Sequence, residues 1–194
     1  FFIISVKKKL QKLLKENRIK SDQFIEIDEL EKYINKFKKG KISIDDKTCS
    51  IFYENLFKKK LKIISQPDPI YSLKSIKHHK EINNMIKTHI IDGVALTKFL
   101  YWIKVSNKKM ITEYDAQNKL EQFRKMNKNY QFPSFNTIAG TGKNGAIIHY
   151  RADKKNARRI KKKDIFLCDS GGQYRYGTTD VTRTICFSKP KKYI

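Results

Sequence analysis

A chain of 194 residues is long enough to bury one core of ordinary size or two small ones. Hydrophobic residues make up 39% of it and aromatic residues 12%, which excludes a disordered chain. The net charge of +24 suggests nucleic acid as a partner, but only seven of the 43 cations are arginine, the side chain that favours bidentate phosphate contacts. Because the lysines are spread over every segment, we expect a solvated surface and no specific nucleic-acid partner.

Cysteine usage and the apolar start indicate the compartment. Cys49, Cys168 and Cys186 have neither paired spacing nor an even number, so a disulfide framework or a zinc knuckle is not expected. The apolar residues 1–6 are too few for a signal segment or a membrane-spanning helix, and we interpret them as a buried strand. These features predict a cytoplasmic protein without a membrane partner.

Strands and helices alternate up to Pro67. Strands are predicted at residues 1–6, 25–27, 41–44 and 61–65, and helices at residues 7–16, 27–37 and 50–57. The sequence Pro67-Asp68-Pro69 then breaks the pattern. We place a domain boundary there, with a small α/β domain over residues 1–66 and a second domain over residues 67–194.

The second domain begins with helical periodicity. Residues 75–104 predict one long amphipathic helix, whose inward stripe is Ile82, Ile86, His89, Ile90, Gly93, Val94, Phe99, Leu100 and Ile103. Thr112 and Asp115 predict a capped second helix. Further strands are predicted at residues 135–139, 146–150, 165–168 and 180–187. Helices followed by strands indicate an α+β class.

The two aspartates near the end of the chain are the candidate metal ligands. Asp169 closes one apolar strand and Asp180 opens another, with Gly171, Gly172 and Gly177 between them to accept the positive φ angles of a reversal. Two carboxylates on neighbouring apolar strands are costly unless a cation lies between them, and oxygen ligands favour Mn, Mg or Ca. The alternative is a surface hairpin in which Asp169 caps a turn and Asp180 pairs with an arginine.

Three stretches carry a family resemblance. DSGGQYRYGTTDVTRT, from residue 169, resembles the metal-binding hairpin of Xaa-Pro aminopeptidases (the aminopeptidase P family), which are pita-bread metallopeptidases. NTIAGTGKNGAIIHY, from residue 136, is similar to the stretch that carries a substrate-facing histidine, which matches His149. HIIDGVALTKFLYWI, from residue 89, resembles the first helix of the catalytic domain. The resemblance covers about residues 60–187.

The resemblance implies both an architecture and a chemistry. Residues 1–66 would be the C-terminal part of a second creatinase-like domain, and residues 67–194 the N-terminal half of a pita-bread domain. Asp169 would bind one divalent ion through both oxygens, Asp180 would bridge two ions, usually Mn with Zn as the alternative, and His149 would contact the substrate. The full-length protein would then hydrolyse peptides with proline in second position, and a homodimer is left open.

Three of the family's five metal ligands, one histidine and two glutamates, would lie downstream of this hairpin. We therefore expect the 194-residue chain itself to be inactive. Three other functions stay open: a metal-free pita-bread binding module, a prolidase-like dipeptidase, and a basic nucleic-acid-binding protein. The presence of both Asp169 and Asp180 within the matched frame favours an enzyme over the metal-free module.

Overall fold

The structure is a computed structural model that describes residues 3–106 and 110–189. This part of the chain separates into two compact units that divide between Ile76 and Lys77. The division follows the predicted proline break by several residues because a short helix, Pro69–Ser75, stays with the first unit. Among the helices in these two ranges, none combines the length and the apolar character that crossing a membrane requires.

The first unit alternates strands and helices, as the sequence predicts. Its elements, in chain order, are β1 (Ile3–Ser5), α1 (Lys7–Lys15), β2 (Phe24–Glu26), α2 (Leu30–Asn35), β3 (Lys41–Ile44), α3 (Ile51–Lys58), β4 (Lys62–Ser65) and α4 (Pro69–Ser75). β1 pairs with β2, and β3 with β4, both in parallel. Each parallel pair has a helix in its connection, because parallel strands need a crossover. A small core forms around Leu30, Ile34 and Leu56.

The second unit consists of two helices and two antiparallel sheets. Its elements are α5 (His79–Ser106), α6 (Glu113–Lys125), β5 (Tyr130–Pro133), β6 (Ile138–Thr141), β7 (Ile165–Ser170), β8 (Gly172–Tyr174), β9 (Gly177–Thr178) and β10 (Val181–Cys186). One sheet has the strand order β10-β7-β6, and the other the order β5-β8-β9. The predicted α+β class is therefore confirmed for this unit.

The core of the second unit lies between the helices and the first sheet. It includes Leu96, Phe99 and Ile103 from α5, together with Leu120 from α6 and Phe166 from β7. The predicted cap of α6 is also present, since the Thr112 hydroxyl accepts from the Asp115 amide at 3.2 Å and Asp115 accepts from the Thr112 amide at 2.9 Å. The helices thus support one face of the sheet that carries Asp169.

The long helix differs from the prediction at its start. Asp68 caps α4 by accepting a hydrogen bond from the Ile70 amide at 2.8 Å, and Pro69 occupies the first helical turn. Ile76 then takes an extended conformation, with ψ at 102°. The helix predicted over residues 75–104 therefore begins later, because Ser75 ends α4 and α5 begins only at His79.

The inward stripe predicted for α5 is confirmed at Phe99 and Ile103, which are buried, but is wrong in the first half of the helix. His89, Ile86 and Ile90 are exposed, whereas the buried positions of this helix are Thr88, Asp92, Ala95, Leu96, Phe99 and Ile103. Apolar residues occur around most of the circumference of α5, so a 3.6-residue period fits more than one face. The buried face is the one that carries Asp92, whose hydrogen-bond partners lie elsewhere in the unit.

The strand predicted at residues 146–150 is absent. A turn of 3-10 helix spans Gly142–Ala146, and a turn carries Ile147 and Ile148, which are 50% and 87% exposed. β6 ends at Thr141, whose backbone amide donates to the side chain of Glu113 at 2.7 Å. A side chain therefore satisfies this part of the backbone where a neighbouring strand was expected.

Candidate metal centre

The segment between the two candidate aspartates folds back on itself, as predicted. β7 and β10 pair in antiparallel register, with Ser170 opposite Val181 and Asp169 opposite Thr182. The intervening residues form a smaller ribbon, in which β8 pairs with both β9 and β5. We call residues 165–186 the aspartate hairpin. Its register fixes where each carboxylate emerges.

The register places Asp169 and Asp180 near each other along the backbone of this hairpin. Asp169 is half-buried, lies directly opposite Thr182, and accepts a hydrogen bond from the Thr182 hydroxyl at 2.7 Å. Asp180 is exposed and directly precedes β10, two positions before Thr182. Diagonal neighbours in such a pair lie roughly 7 to 8 Å apart. Ions in two-metal sites lie about 3.5 to 4 Å apart, a distance that two such carboxylates can span.

The glycines of the aspartate hairpin are required by space and not by backbone angle. The only described glycine with a positive φ is Gly142, outside the hairpin, at 53°. A Cβ on Gly171 would lie 2.0 Å from the Thr179 carbonyl oxygen, and one on Gly177 would lie 2.7 Å from the Thr88 hydroxyl. The expectation that these glycines supply positive φ angles was therefore wrong, since they permit close approach of two chain segments.

Behind the aspartates lies a buried ion pair that joins both helices to the hairpin. Arg124 of α6 donates to Asp92 of α5 at 2.7 Å from Nε and at 3.1 Å from Nη2. Arg124 is fully buried and Asp92 is 2% exposed. Arg124 Nη2 also donates to the Ser170 hydroxyl at 3.1 Å.

Two further hairpin side chains donate to the carboxylate of that pair. Tyr174 and Thr179 donate their hydroxyls to Asp92 at 2.7 and 2.9 Å. The Thr179 hydroxyl in turn accepts from the Gly172 amide at 2.9 Å. Asp92 therefore contacts the hairpin at two points, and Arg124 at a third. We call Asp92, Arg124, Ser170, Tyr174 and Thr179 the clamp.

The pKa shifts within the clamp have clear causes. Burial alone would raise the pKa of Asp92, but hydrogen bonds and charge from Arg124, with the donors of Tyr174 and Thr179, hold it below its ordinary value of 3.8. Burial alone would lower the pKa of Arg124, and Asp92 holds it above its ordinary value. Burial and the hydrogen bond to Asp92 raise the pKa of Tyr174. The pair is therefore ionised at neutral pH.

His149 lies outside the regular strands. Its side chain is exposed and its backbone has a positive φ of 55°, which is uncommon for a residue with a side chain. In the described part of the chain, no hydrogen bond joins its ring to Asp169 or Asp180. The same ranges contain no group of three or more His, Cys, Asp or Glu side chains arranged to hold a metal. The register thus places Asp169 two residues from Asp180 across the strand pair, and among the described residues no hydrogen bond joins the His149 ring to either carboxylate.

The segment that carries His149 is organised by one buried carboxylate. We call residues 142–158 the His149 loop. Glu113, fully buried at the start of α6, accepts from the backbone amides of Thr141 and Arg158 at 2.7 and 2.8 Å. It also accepts from Asn144 Nδ2 at 3.0 Å and from the Tyr150 hydroxyl at 2.8 Å. Burial and this last bond raise the pKa of Tyr150 to about 12.

Sequence reasoning missed Asp92, Arg124 and Glu113. A signal for Asp92 does exist, because Thr88, Asp92, Leu96 and Phe99 follow helical spacing, and a charge on an apolar stripe requires a buried partner. Arg124 and Glu113 had no comparable signal within their own helix. Their partners are far away in sequence, at positions that only the folded chain brings near.

A family model covers most of the second unit. The model of metallopeptidase family M24 matches residues 83–194. This match spans more than half of the chain, and the chain therefore belongs to metallopeptidase family M24.

Within this family, the chain is similar to individual Xaa-Pro aminopeptidases. The Xaa-Pro aminopeptidase ApepP of Drosophila melanogaster is 42% identical over 146 residues, which are 74% of this chain and 24% of that protein. A probable Xaa-Pro aminopeptidase P of Paracoccidioides brasiliensis strain Pb03 is also 42% identical, over 66% of this chain and 21% of that protein. The chain thus spans about a quarter of the length of the curated relatives that it matches.

Solved structures confirm the fold. An X-prolyl aminopeptidase from Caenorhabditis elegans, described as a cytosolic enzyme with a di-nuclear active site, superposes with a TM-score of 0.76 at 23% identity. The match covers 96% of this chain and 31% of that one. A prolidase from Pyrococcus furiosus gives a TM-score of 0.70 at 25% identity, over 88% of this chain and 49% of that one. The predicted pita-bread fold is therefore confirmed.

Proposed function

We propose that the full-length protein carrying this chain is a metal-dependent Xaa-Pro aminopeptidase, which removes the N-terminal residue from peptides with proline second. The observation that supports the proposal is the register of β7 and β10, which pairs Asp169 with Thr182, two residues after Asp180. The 42% identity to Xaa-Pro aminopeptidases supports the substrate class. Cytoplasmic localisation and a homodimer of the full-length protein belong to the same proposal.

The proposed domain assignment follows from the family. Residues 1–66 are the C-terminal part of a second creatinase-like domain, and residues 67–194 are the N-terminal half of the pita-bread domain. The family match from residue 83 supports the second assignment. This chain supplies two of the five metal ligands, and the remaining histidine and two glutamates belong to the following half of the domain.

The two aspartates suit divalent ions. Both are carboxylates, the donors that Mn and Mg prefer, and neither carries an ion pair that would compete with a metal among the described residues. Asp169 would hold one ion and Asp180 would bridge two, with Mn as the first candidate and Zn as the second. When bound, such ions supply Lewis acidity for hydrolysis of the peptide bond.

The chain's own residues orient the reacting groups. Thr182 donates to Asp169 Oδ1 and thereby fixes the rotation of that carboxylate. His149, exposed on its turn, would contact the substrate near the scissile bond. A proline in second position has no amide hydrogen and a fixed φ, so a pocket shaped for it can accept a bond that most peptidases do not cleave.

The test uses the full-length protein and its Asp169→Asn and Asp180→Asn variants. We expect both variants to lose Mn²⁺ binding, measured by isothermal titration with MnCl₂, and to lose measurable hydrolysis of an Xaa-Pro tripeptide. Asp28→Asn, which changes an exposed carboxylate in the first unit, is the matched control and should retain both. Retention of Mn²⁺ binding by both hairpin variants would contradict the proposal.

A second candidate, a prolidase, is favoured by the structural likeness to the Pyrococcus furiosus enzyme. The same assay separates the two functions if an Xaa-Pro dipeptide is compared with an Xaa-Pro tripeptide. An aminopeptidase cleaves the tripeptide, whereas a prolidase is confined to the dipeptide. A wild-type protein that neither binds Mn²⁺ nor cleaves either peptide would instead be a metal-free binding module.

A further inference from the structure

The clamp contacts the residues that neighbour both candidate metal ligands. Ser170 follows Asp169 directly and Thr179 precedes Asp180 directly. Ser170 accepts from Arg124, and Thr179 donates to Asp92. One ion pair, held between two helices, is therefore hydrogen-bonded to the two points of the chain from which the carboxylates emerge.

Strand alternation puts the clamp and the carboxylates on opposite sides of the hairpin. Ser170 and Thr179 are buried, whereas Asp169 is half-buried and Asp180 is exposed. Consecutive residues of a strand point to opposite faces, so a fixed Ser170 also fixes the direction of Asp169. Thr179 and Asp180 lie between β9 and β10, where Thr179 is buried and Asp180 is exposed, so a fixed Thr179 restrains the chain from which Asp180 emerges. The clamp thus restrains the carboxylates from behind, without touching the face on which a metal would bind.

Stability alone does not explain a buried pair of this kind. Buried ion pairs are often replaceable by apolar side chains without loss of stability, because desolvation offsets their attraction. Arg124 Nη1, moreover, has no hydrogen-bond partner among the described residues, which is a further cost. The pair does, however, provide directed hydrogen bonds to three hairpin side chains. Directed bonds specify geometry in a way that apolar packing cannot.

We propose that Asp92 and Arg124 are positioning residues of the metal centre, which set the separation and direction of Asp169 and Asp180 through Ser170 and Thr179. The inference rests on the proposed function, because it takes the two aspartates as metal ligands. Residues that orient metal ligands typically change metal affinity by about 10 to 100-fold when they are altered. We expect changes to the clamp to weaken metal binding by a factor within this range.

The first experiment removes one hydroxyl of the clamp in the full-length protein. Thr179→Val keeps the shape of the side chain but loses the bond to Asp92, and Thr179→Ser keeps the hydroxyl. We expect Thr179→Val to weaken Mn²⁺ binding by about 10 to 100-fold in titration with MnCl₂, and Thr179→Ser to bind as the wild type does. Hydrogen exchange at the Gly172 amide, which donates to the same hydroxyl, should accelerate only in Thr179→Val.

A second variant separates positioning from stability. Asp92→Leu combined with Arg124→Met replaces the pair by apolar side chains of similar size, which preserves folding in comparable cases. Its unfolding is followed by the fluorescence of Trp102, the single tryptophan, which packs against the core of the second unit. We expect a cooperative transition close to that of the wild type, together with the same loss of Mn²⁺ affinity. Leu120→Ala is the destabilised control, because it creates a cavity at a buried residue of α6 that makes no hydrogen bond to the hairpin. This variant should keep the Mn²⁺ affinity of the wild type.

Three results would overturn the inference. These are unchanged Mn²⁺ affinity in Thr179→Val, unchanged affinity in the double apolar variant, and a loss in Leu120→Ala as large as that in Thr179→Val. In the last case metal affinity would simply follow stability. Asp169→Asn, measured in the same series, identifies failure of the proposed function. Unaltered Mn²⁺ binding in that variant would show that Asp169 is not a metal ligand, and the inference would then fail as well.

Discussion

The aspartate hairpin and the His149 loop, which carry the candidate functional side chains, are stabilised by different interactions. In the hairpin, a strand ladder orders the backbone, and an ion pair then contacts its buried side. At the two ends of the loop and within it, a single carboxylate, Glu113, accepts from two backbone amides and two side chains. The hairpin would keep most of its backbone hydrogen bonds without the Asp92–Arg124 pair. The loop would lose several hydrogen bonds without Glu113.

This difference suits the proposed tasks. Metal ligands must be held at a defined separation, and regular strands on a rigid sheet do this with precision. A residue that contacts substrate must approach a ligand that enters and leaves, and such residues commonly lie on loops. His149 occupies an exposed turn with a left-handed backbone, while Asp169 lies within a six-residue strand. The comparison predicts that altering the Asp92–Arg124 pair affects the hairpin, and that altering Glu113 affects the His149 loop.

The largest effect is expected from Asp92→Ala in the 194-residue chain. The change leaves the Arg124 charge buried without its partner, which should lower the free energy of unfolding of the second unit by about 3 to 5 kcal/mol. Urea unfolding followed by Trp102 fluorescence measures it. Addition of Arg124→Met should restore most of the loss, because no unpaired charge remains. A loss below about 1 kcal/mol would mean that the hairpin is supported by its strands alone.

The hairpin was the more predictable of the two regions. The apolar, β-branched residues of β7 and β10, bounded by glycines, gave both strands and their reversal before any contact was known. The reason assigned to the glycines was wrong, because the close approach of Gly171 to Thr179 is a contact between segments and not a property of one residue. Local patterns thus predicted the elements but not the packing that makes glycine necessary.

The His149 loop illustrates a different limit. The run from Ala146 to Tyr150 is apolar enough to predict a strand, yet Ile147 and Ile148 are exposed on a turn. The deciding interaction is with Glu113, which lies 28 residues before Thr141. In α5, likewise, Asp92 is buried because Arg124 lies opposite it, 32 residues further along the chain. Pairings over such separations do not appear in any local window.

Glu113→Gln should have an intermediate effect, confined to the His149 loop. The amide keeps one accepting oxygen but turns an NH₂ group toward donors, so at least one buried donor loses its partner, at a cost of about 1 to 3 kcal/mol. Hydrogen exchange should accelerate at the Thr141 and Arg158 amides and stay unchanged at Gly172 in the hairpin. Glu81→Gln, at an exposed carboxylate of the same unit, serves as the control. Equal acceleration of hydrogen exchange at the Gly172 amide would show that Glu113 stabilises the hairpin as well as the loop, and would contradict the distinction between the two regions.

The smallest effect is expected from acid, which protonates Asp92 without removing it. Its pKa is held below 3.8 in the folded state, chiefly by Arg124 against the opposing effect of burial, so its contribution to stability is complete above the unfolded value of 3.8 and is lost as pH falls through the folded pKa. The loss is smaller than in Asp92→Ala because a protonated carboxyl group still accepts hydrogen bonds from Tyr174 and Thr179. Unfolding free energies of wild type and Asp92→Asn, measured by Trp102 fluorescence from pH 6 downward, should stay parallel above pH 3.8 and converge only as pH falls below 3.8 and through the lower folded pKa. If the two curves stayed parallel, the carboxylate charge would contribute nothing to holding the hairpin against the helices, and the hairpin and the loop would both be organised by hydrogen bonds alone.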